Sequence, residues 1–139
     1  DIANRGAVNF VRVFYSAYDS EKRVETIPKF YRPTSTFHWN GNLILHDKLL
    51  EFLGGLPATK HDIHTYDCHA VPETTPPSLF ITVTGNVSHG SADSNARSFN
   101  DLPRVFSQAF LLQPEIPPAI GNTADIKYYI VSDTFRFVG

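Results

Sequence analysis

An aspartate held near a histidine or tyrosine in an apolar pocket can act as a general base, provided burial moves its carboxyl towards neutrality. Asp67 with His38, assisted by Tyr15 or Tyr31, is the set of residues in this chain that fits that description. The pattern is weak. A lone aspartate in a strand more often accepts a turn or cap hydrogen bond, and a histidine beside Trp39 more often packs in a core. The chain has six histidines, but their spacing does not build a metal site. His61 and His64, and His64 and His69, are odd numbers of residues apart in a segment that reads as a strand, so each pair points to opposite faces, and the remaining spacings match no zinc pattern. Cys68 is the single cysteine, which leaves no internal disulfide, fits a reducing compartment, and suits a small buried hydrophobe. There is no Gly-rich phosphate loop and no Gly-x-Ser-x-Gly elbow, and Gly54-Gly55 reads as a helix stop. No metal or other cofactor is expected.

A second kind of chemistry is recognition. Phe135 and Phe137 alternate with Thr134 and Arg136 near the end of the chain, the pattern of a strand with an aromatic face and a polar face carrying one arginine. His38-Trp39-Asn40-Gly41-Asn42 reads as a two-residue hairpin, because Asn-Gly tolerates the positive φ that both central residues require. Such a sheet is covered by helices on one side and meets water or a second protein on the other.

The elements that would position these residues follow in order. Residues 2 to about 20 place Val8, Val11, Phe14, Tyr15 and Tyr18 at helical spacing. Asp19-Ser20 ends that helix and can cap a shorter one through Val24, Ile27, Phe30 and Tyr31, stopped before Pro33. Thr34 to Trp39 and Asn42 to His46 form the hairpin. Asp47 can then cap a helix carrying Leu49, Leu50, Phe52 and Leu53, closed by Gly54-Gly55 and Pro57. Strands are expected over roughly 61–71, 78–88, 104–113 and 125–138. Pro72 to Pro77 makes a stiff link, and the stretches 89–103 and 114–122 are long, polar or Pro-rich connections suited to mobility or contacts. Helices followed by a run of mostly antiparallel strands make an α+β fold, with a strongly bent sheet over three helices forming a cone whose mouth lies near the first helix.

With 139 residues, 42% of them hydrophobic, the chain is expected to form a single domain, 1–139, with a proper core. Its net charge is -2 and its 12 Lys and Arg are scattered, which disfavours direct nucleic-acid binding. The apolar runs are too short to cross a bilayer and no charged-then-apolar leader begins the chain, so no membrane partner is expected. A chain without Met that begins at Asp1 reads as a piece of a longer one.

Taken in order, Phe37-His38-Trp39-Asn40-Gly41-Asn42, Phe52-Leu53-Gly54-Gly55-Leu56-Pro57, Tyr66-Asp67-Cys68, Thr84-Gly85-Asn86-Val87, Phe106-Ser107-Gln108-Ala109-Phe110-Leu111-Leu112 and Ser132-Asp133-Thr134-Phe135-Arg136-Phe137 run across nearly the whole chain. Together they resemble the nuclear transport factor 2-like family. Trp39-Asn40-Gly41-Asn42 and Asp67-Cys68 look most like the export-related branch, the light subunit of the messenger-RNA export heterodimer. The long connections look closer to fungal light subunits than to the compact animal form. The import carrier of GDP-bound Ran has an acidic residue where Asn40 stands. The resemblance implies a non-catalytic subunit that pairs sheet to sheet with the related domain of a large export receptor. It implies passage through the nuclear pore with that partner, contact with pore repeat proteins through the complex, and RNA met only indirectly or through loops. The nucleus and nuclear pore, with shuttling to the cytoplasm, are the implied location. The alternatives are a homodimeric import carrier and a small-molecule isomerase or dehydratase of the same fold.

Period-two alternation sorts the late strands into two faces. Phe80, Phe106, Phe110, Phe135 and Phe137 are expected on the helix-packed side. Thr82, Thr84, Ser107, Ala109, Leu111, Tyr128, Ile130, Ser132, Thr134 and Arg136 are expected on the other, as the partner-binding set. That set is small, half apolar and poor in charge, which suits a covered face better than a solvated one. The family places an arginine matching Arg136 against a carboxylate across the dimer. Trp39 and Asp67 are the residues expected at the pocket, with Trp39 plugging the cone mouth.

Overall fold

The computed structural model describes residues 2–72, 76–90, 102–115 and 127–138. The connections expected at 89–103 and 114–122 lie largely outside them, as do the first residues of the strand expected from 125. Helix α1 (Ile2–Tyr18) is followed by α2 (Arg23–Thr26), which tightens into a 3-10 turn over Ile27–Phe30. Strands β1 (Tyr31–Trp39) and β2 (Asn42–Ile44) form the hairpin. A 3-10 turn at His46–Lys48 leads into α3 (Leu49–Gly55). Strands β3 (Thr59–Val71), β4 (Ser78–His89), β5 (Arg104–Pro114) and β6 (Tyr128–Phe137) complete a six-stranded sheet in the order β2-β1-β6-β5-β4-β3. Among the described strands only β1 and β6 run parallel; the other pairs are antiparallel. The α+β expectation, a bent sheet over three helices, is the architecture observed.

The core lies between α1 and the inner face of the sheet. Phe10 and Phe14 stack at 5.3 Å, and the Phe110 ring stands edge-on 5.0 Å from Phe10 and 5.1 Å from Phe14. Phe30 closes the same cluster. The buried stripe of α1 is Ala3, Ala7, Phe10, Val11, Phe14, Tyr15 and Tyr18, whereas Val8, about 20° of helix rotation beyond Tyr15 at the edge of the stripe, is exposed. Asp19 and Asp47 do not act as the expected helix caps: neither α2 nor α3 has a side-chain cap hydrogen bond. Asp19 turns instead to β3, accepting from the His61 amide and from Thr59 Oγ1 at 2.8 Å each.

Local irregularities bend the sheet. The Asn-Gly turn holds both residues at positive φ, 49° for Asn40 and 84° for Gly41. The register of β3 on β4 shifts between Ile63 and Thr65, and there the two backbones approach closely. A Cβ on Gly85 would stand 2.2 Å from the Asp62 carbonyl oxygen, so only glycine fits. A second shift falls in β6 opposite Leu111 and Leu112: Leu111 pairs with Ser132, but Leu112 pairs with Ile130, leaving Val131 as the extra residue.

That bulge corrects the expected faces. Ile130 is fully buried in the core and not on the open face, because the extra residue reverses the alternation N-terminal to it. Tyr128 goes inward with it; its ring lies 3.1 Å from where a Cβ on Gly6 would be, and its hydroxyl donates to the Pro77 carbonyl. Phe80 is corrected in the opposite sense. The inward residues of β4 are Leu79, Ile81, Val83 and Val87, so Phe80 falls on the open side, 39% exposed.

Candidate partner interface

The open face is a lattice of side chains in register. One row runs across all six strands, Asp67–Thr82–Ala109–Thr134–His38–Leu43. On one side lies His69–Phe80–Leu111–Ser132–Thr36, and on the other Thr65–Thr84–Ser107–Arg136. Thr82, Thr84, Ser107, Ala109, Leu111, Ser132, Thr134 and Arg136 thus share one surface, as their parity in the sequence predicts. Short hydroxyl and methyl side chains keep it low, and Thr65 and Thr84 hydrogen-bond to each other at 2.7 Å.

Arg136 is held in place by the hairpin turn. The Asn40 amide donates to the Phe135 carbonyl, and Asn40 Oδ1 accepts from the Phe137 amide, both at 2.8 Å. These two bonds bracket Arg136 and fix its backbone at the end of the sheet. Its surroundings differ from those of the other arginine on this face. Arg32 pairs with Glu115 at 2.7 Å and lies over the Tyr129 ring. Arg136 is exposed and forms no ion pair among the described residues.

The expected acid-base set does not assemble. Asp67 is exposed on β3 opposite Thr82, and His38 projects beside Thr134, so both stand on the open face with three strands between them. Tyr15 and Tyr31 are buried beneath the opposite face. Asp67 is therefore not a pocket residue: its parity with Thr65 and His69 after the β3 bulge turns it outward.

Among the described residues the buried carboxylate is Asp133, which shares the parity of Phe135. Tyr31 donates to its Oδ2 at 2.6 Å and Gln108 Nε2 to its Oδ1 at 2.8 Å, while Tyr15 donates to Gln108 Oε1 at 2.7 Å. Burial raises its pKa to about 7, against the pull of the two donors. Burial also raises the Tyr15 and Tyr31 hydroxyls, with the Asp133 charge adding to the effect. The sequence carries this signal, since Asp133 and Gln108 alternate in phase with inward phenylalanines.

Trp39 does reach the mouth of the cone, stacked on Phe135 at 4.3 Å with rings 5° from parallel. Together with Tyr15, Tyr18, His61 and Gln108 it lines a cavity of about 10 Å³, room for about one water molecule. At the same end His61 Nδ1 meets Asp19 Oδ1 at 2.6 Å. Burial alone would raise Asp19, but the hydrogen bonds and charge of His61, with a bond from Thr59, hold it below its ordinary value. Arg23 closes the mouth from α2, donating to the carbonyls of Tyr18 and Pro57 and to Thr59 Oγ1. Among the described residues no three His, Cys, Asp or Glu side chains gather as metal ligands, and no helix is long and apolar enough to cross a membrane.

The nuclear transport factor 2 (NTF2) domain model matches residues 6–137 of this chain. An NTF2-related export protein of Caenorhabditis elegans is 35% identical over 133 residues, covering 93% of this chain and 83% of its own length. NTF2-related export protein 1 of Bos taurus is 32% identical, covering 97% and 88%. Among solved structures, one of the Chaetomium thermophilum Mex67 NTF2-like domain complexed with Mtr2 matches with a TM-score of 0.75 at 17% identity, over 99% of both chains. A structure of Mtr2 matches with a TM-score of 0.72 at 16% identity, over 99% of this chain and all of that one. At these identities the solved structures speak for the fold, and the relatives for the export-related branch.

Proposed function

This chain belongs to the NTF2 family, and on that premise we propose that it is the non-catalytic light subunit of a heterodimeric nuclear mRNA export receptor. It pairs its open sheet face with the NTF2-like domain of a large subunit of the Mex67 kind. The observation that carries this reading is the open face: flat, poor in charge, and bearing one exposed arginine without an ion-pair partner among the described residues. Apolar and hydroxyl side chains in register favour a second sheet as the cover, and an unpaired cation in a surface poor in charge favours the partner that brings a carboxylate. Contact with pore repeat proteins and RNA comes through the assembled complex, and the chain shuttles between nucleus and cytoplasm by way of the pore.

The homodimeric import carrier is the second reading, and the lattice argues against it. If two copies met about a two-fold at Ala109, Arg136 would face Thr84 or Ser132 of the other copy, depending on whether the axis ran along or across the strands. Neither residue is an acid, whereas an isologous interface must complement itself. Catalysis is third. The cavity holds about one water, and Asp67 and His38 lie on the far side of the sheet from it.

Affinity capture of the tagged chain from extract of its own cells, beside Arg136→Glu, tests the reading. One dominant larger partner carrying an NTF2-like domain is expected, and it should be lost with Arg136→Glu, which costs about 2–5 kcal/mol of association by burying a carboxylate against the partner's carboxylate. Recovery of the chain alone, or with a small GTPase, would favour the import carrier.

A further inference from the structure

The rows of the open face nearly repeat themselves. On β4 Thr82 is followed two residues on by Thr84, on β5 Ser107 by Ala109, and on β6 Ser132 by Thr134, each a pair of similar size. A partner sheet slid by two residues would meet almost the same surface, so these positions alone cannot set a register. On these three strands the repeat is broken by Phe80 with Leu111 at one end and by Arg136 at the other. Phe80 stands at one end, 39% exposed although β4 has neighbours on both sides, with His69 and Leu111 beside it in the row. Arg136 stands at the other end, two strands over and in a row without a large apolar side chain. Four residues along and two strands across separate them by about 17 Å.

Phe80 has no route into the core, because the parity of β4 gives the inner positions to Leu79, Ile81 and Val83. Its ring remains uncovered until another surface reaches it. Large aromatic anchors carry much of the energy of interfaces, while charges at the margin govern orientation and encounter.

We propose that Phe80, seated beside Leu111, is the affinity anchor of the open face and receives an apolar side chain from a non-identical NTF2-like sheet, while Arg136 sets the register through a carboxylate about 17 Å away on that partner. Two unlike anchors at opposite corners fix both the slide and the rotation of one sheet on the other, which neither could do alone. This inference rests on the light-subunit reading.

Titration calorimetry with a recombinant Mex67-type NTF2-like domain from the same species tests it. Phe80→Thr extends the threonine pattern of β4 with a good strand former, so the free chain should keep its melting temperature. Binding should weaken by roughly 30-fold or more. Leu111→Thr, made from the neighbouring strand, should act in the same direction and guards against a folding defect in the first variant. Phe80→Thr and Arg136→Glu combined should multiply their separate losses, as expected of sites this far apart. If both threonine variants bind like wild type while Arg136→Glu does not, the anchor assignment is overturned and the heterodimer stands. If wild type itself forms no complex, the light-subunit reading fails and this inference fails with it.

Discussion

Asp133 and Arg136 stand three residues apart on β6 and face opposite ways, and the protein treats their charges differently. The carboxyl lies inside, where Tyr31 and Gln108 donate to it and burial lifts its pKa to about 7. The guanidinium lies outside, exposed and without an ion pair among the described residues. A charge within one chain must be satisfied by that chain, because an orphaned buried polar group costs more than a hydrogen bond returns. A charge on an outer face can wait for another molecule. The inner face of the sheet therefore determines stability, and the outer face determines association.

Changes to the inner face should give the largest effects on folding. Phe110→Ala, which removes the ring packed on Phe10 and Phe14, should cost about 3–5 kcal/mol in a urea melt. Arg136→Glu should lower association by a similar amount while leaving that melt unchanged. A variant that lost both together would break the division between the faces.

Asp133 gives the next largest effect, through pH. Its carboxyl rises from an ordinary 3.8 to about 7 on folding. The stabilisation is therefore complete below about pH 4 and is lost as pH rises towards 7, with a ceiling of roughly 4 kcal/mol. Urea melts between about pH 4.5 and 7.5 should show stability falling with pH in wild type and falling less in Asp133→Asn. The comparison isolates Asp133 from Asp19, whose depressed pKa acts in the opposite sense at lower pH. Equal slopes in the two proteins would mean that Asp133 ionises normally despite its burial. The smallest effect belongs to the outer face. Thr134→Val should shift the melt of the free chain by no more than about 0.5 kcal/mol, as for other surface substitutions.

Much of this was legible in the sequence, element by element. The hairpin, the three helices and the strand segments follow from periodicity and from Asn40-Gly41, all short-range signals. Eight of the ten residues expected on the open face are found there. Ile130 and Tyr128 are not, because a one-residue bulge depends on how β6 meets β5, and alternation read along one strand carries no record of it. Phe80 misled for a different reason. A phenylalanine in a strand is expected inside, yet its neighbours Leu79 and Ile81 already held the inward positions. Asp67 and His38 attracted attention by residue type alone, and the sheet placed them with three strands between them, on the wrong face for a pocket.

The amino-acid sequence by itself determined the order of elements, the turn, and the likeness to the NTF2 family, because propensity, period and φ preference act over a few residues. Tertiary structure decided which charge was buried, which aromatic was left uncovered, and where β6 changed phase. Those outcomes depend on residues distant in sequence: Tyr31 and Gln108 around Asp133, Leu112 opposite Ile130, and Asn40 on either side of Arg136. Such long-range pairings exist only once the sheet has closed over α1.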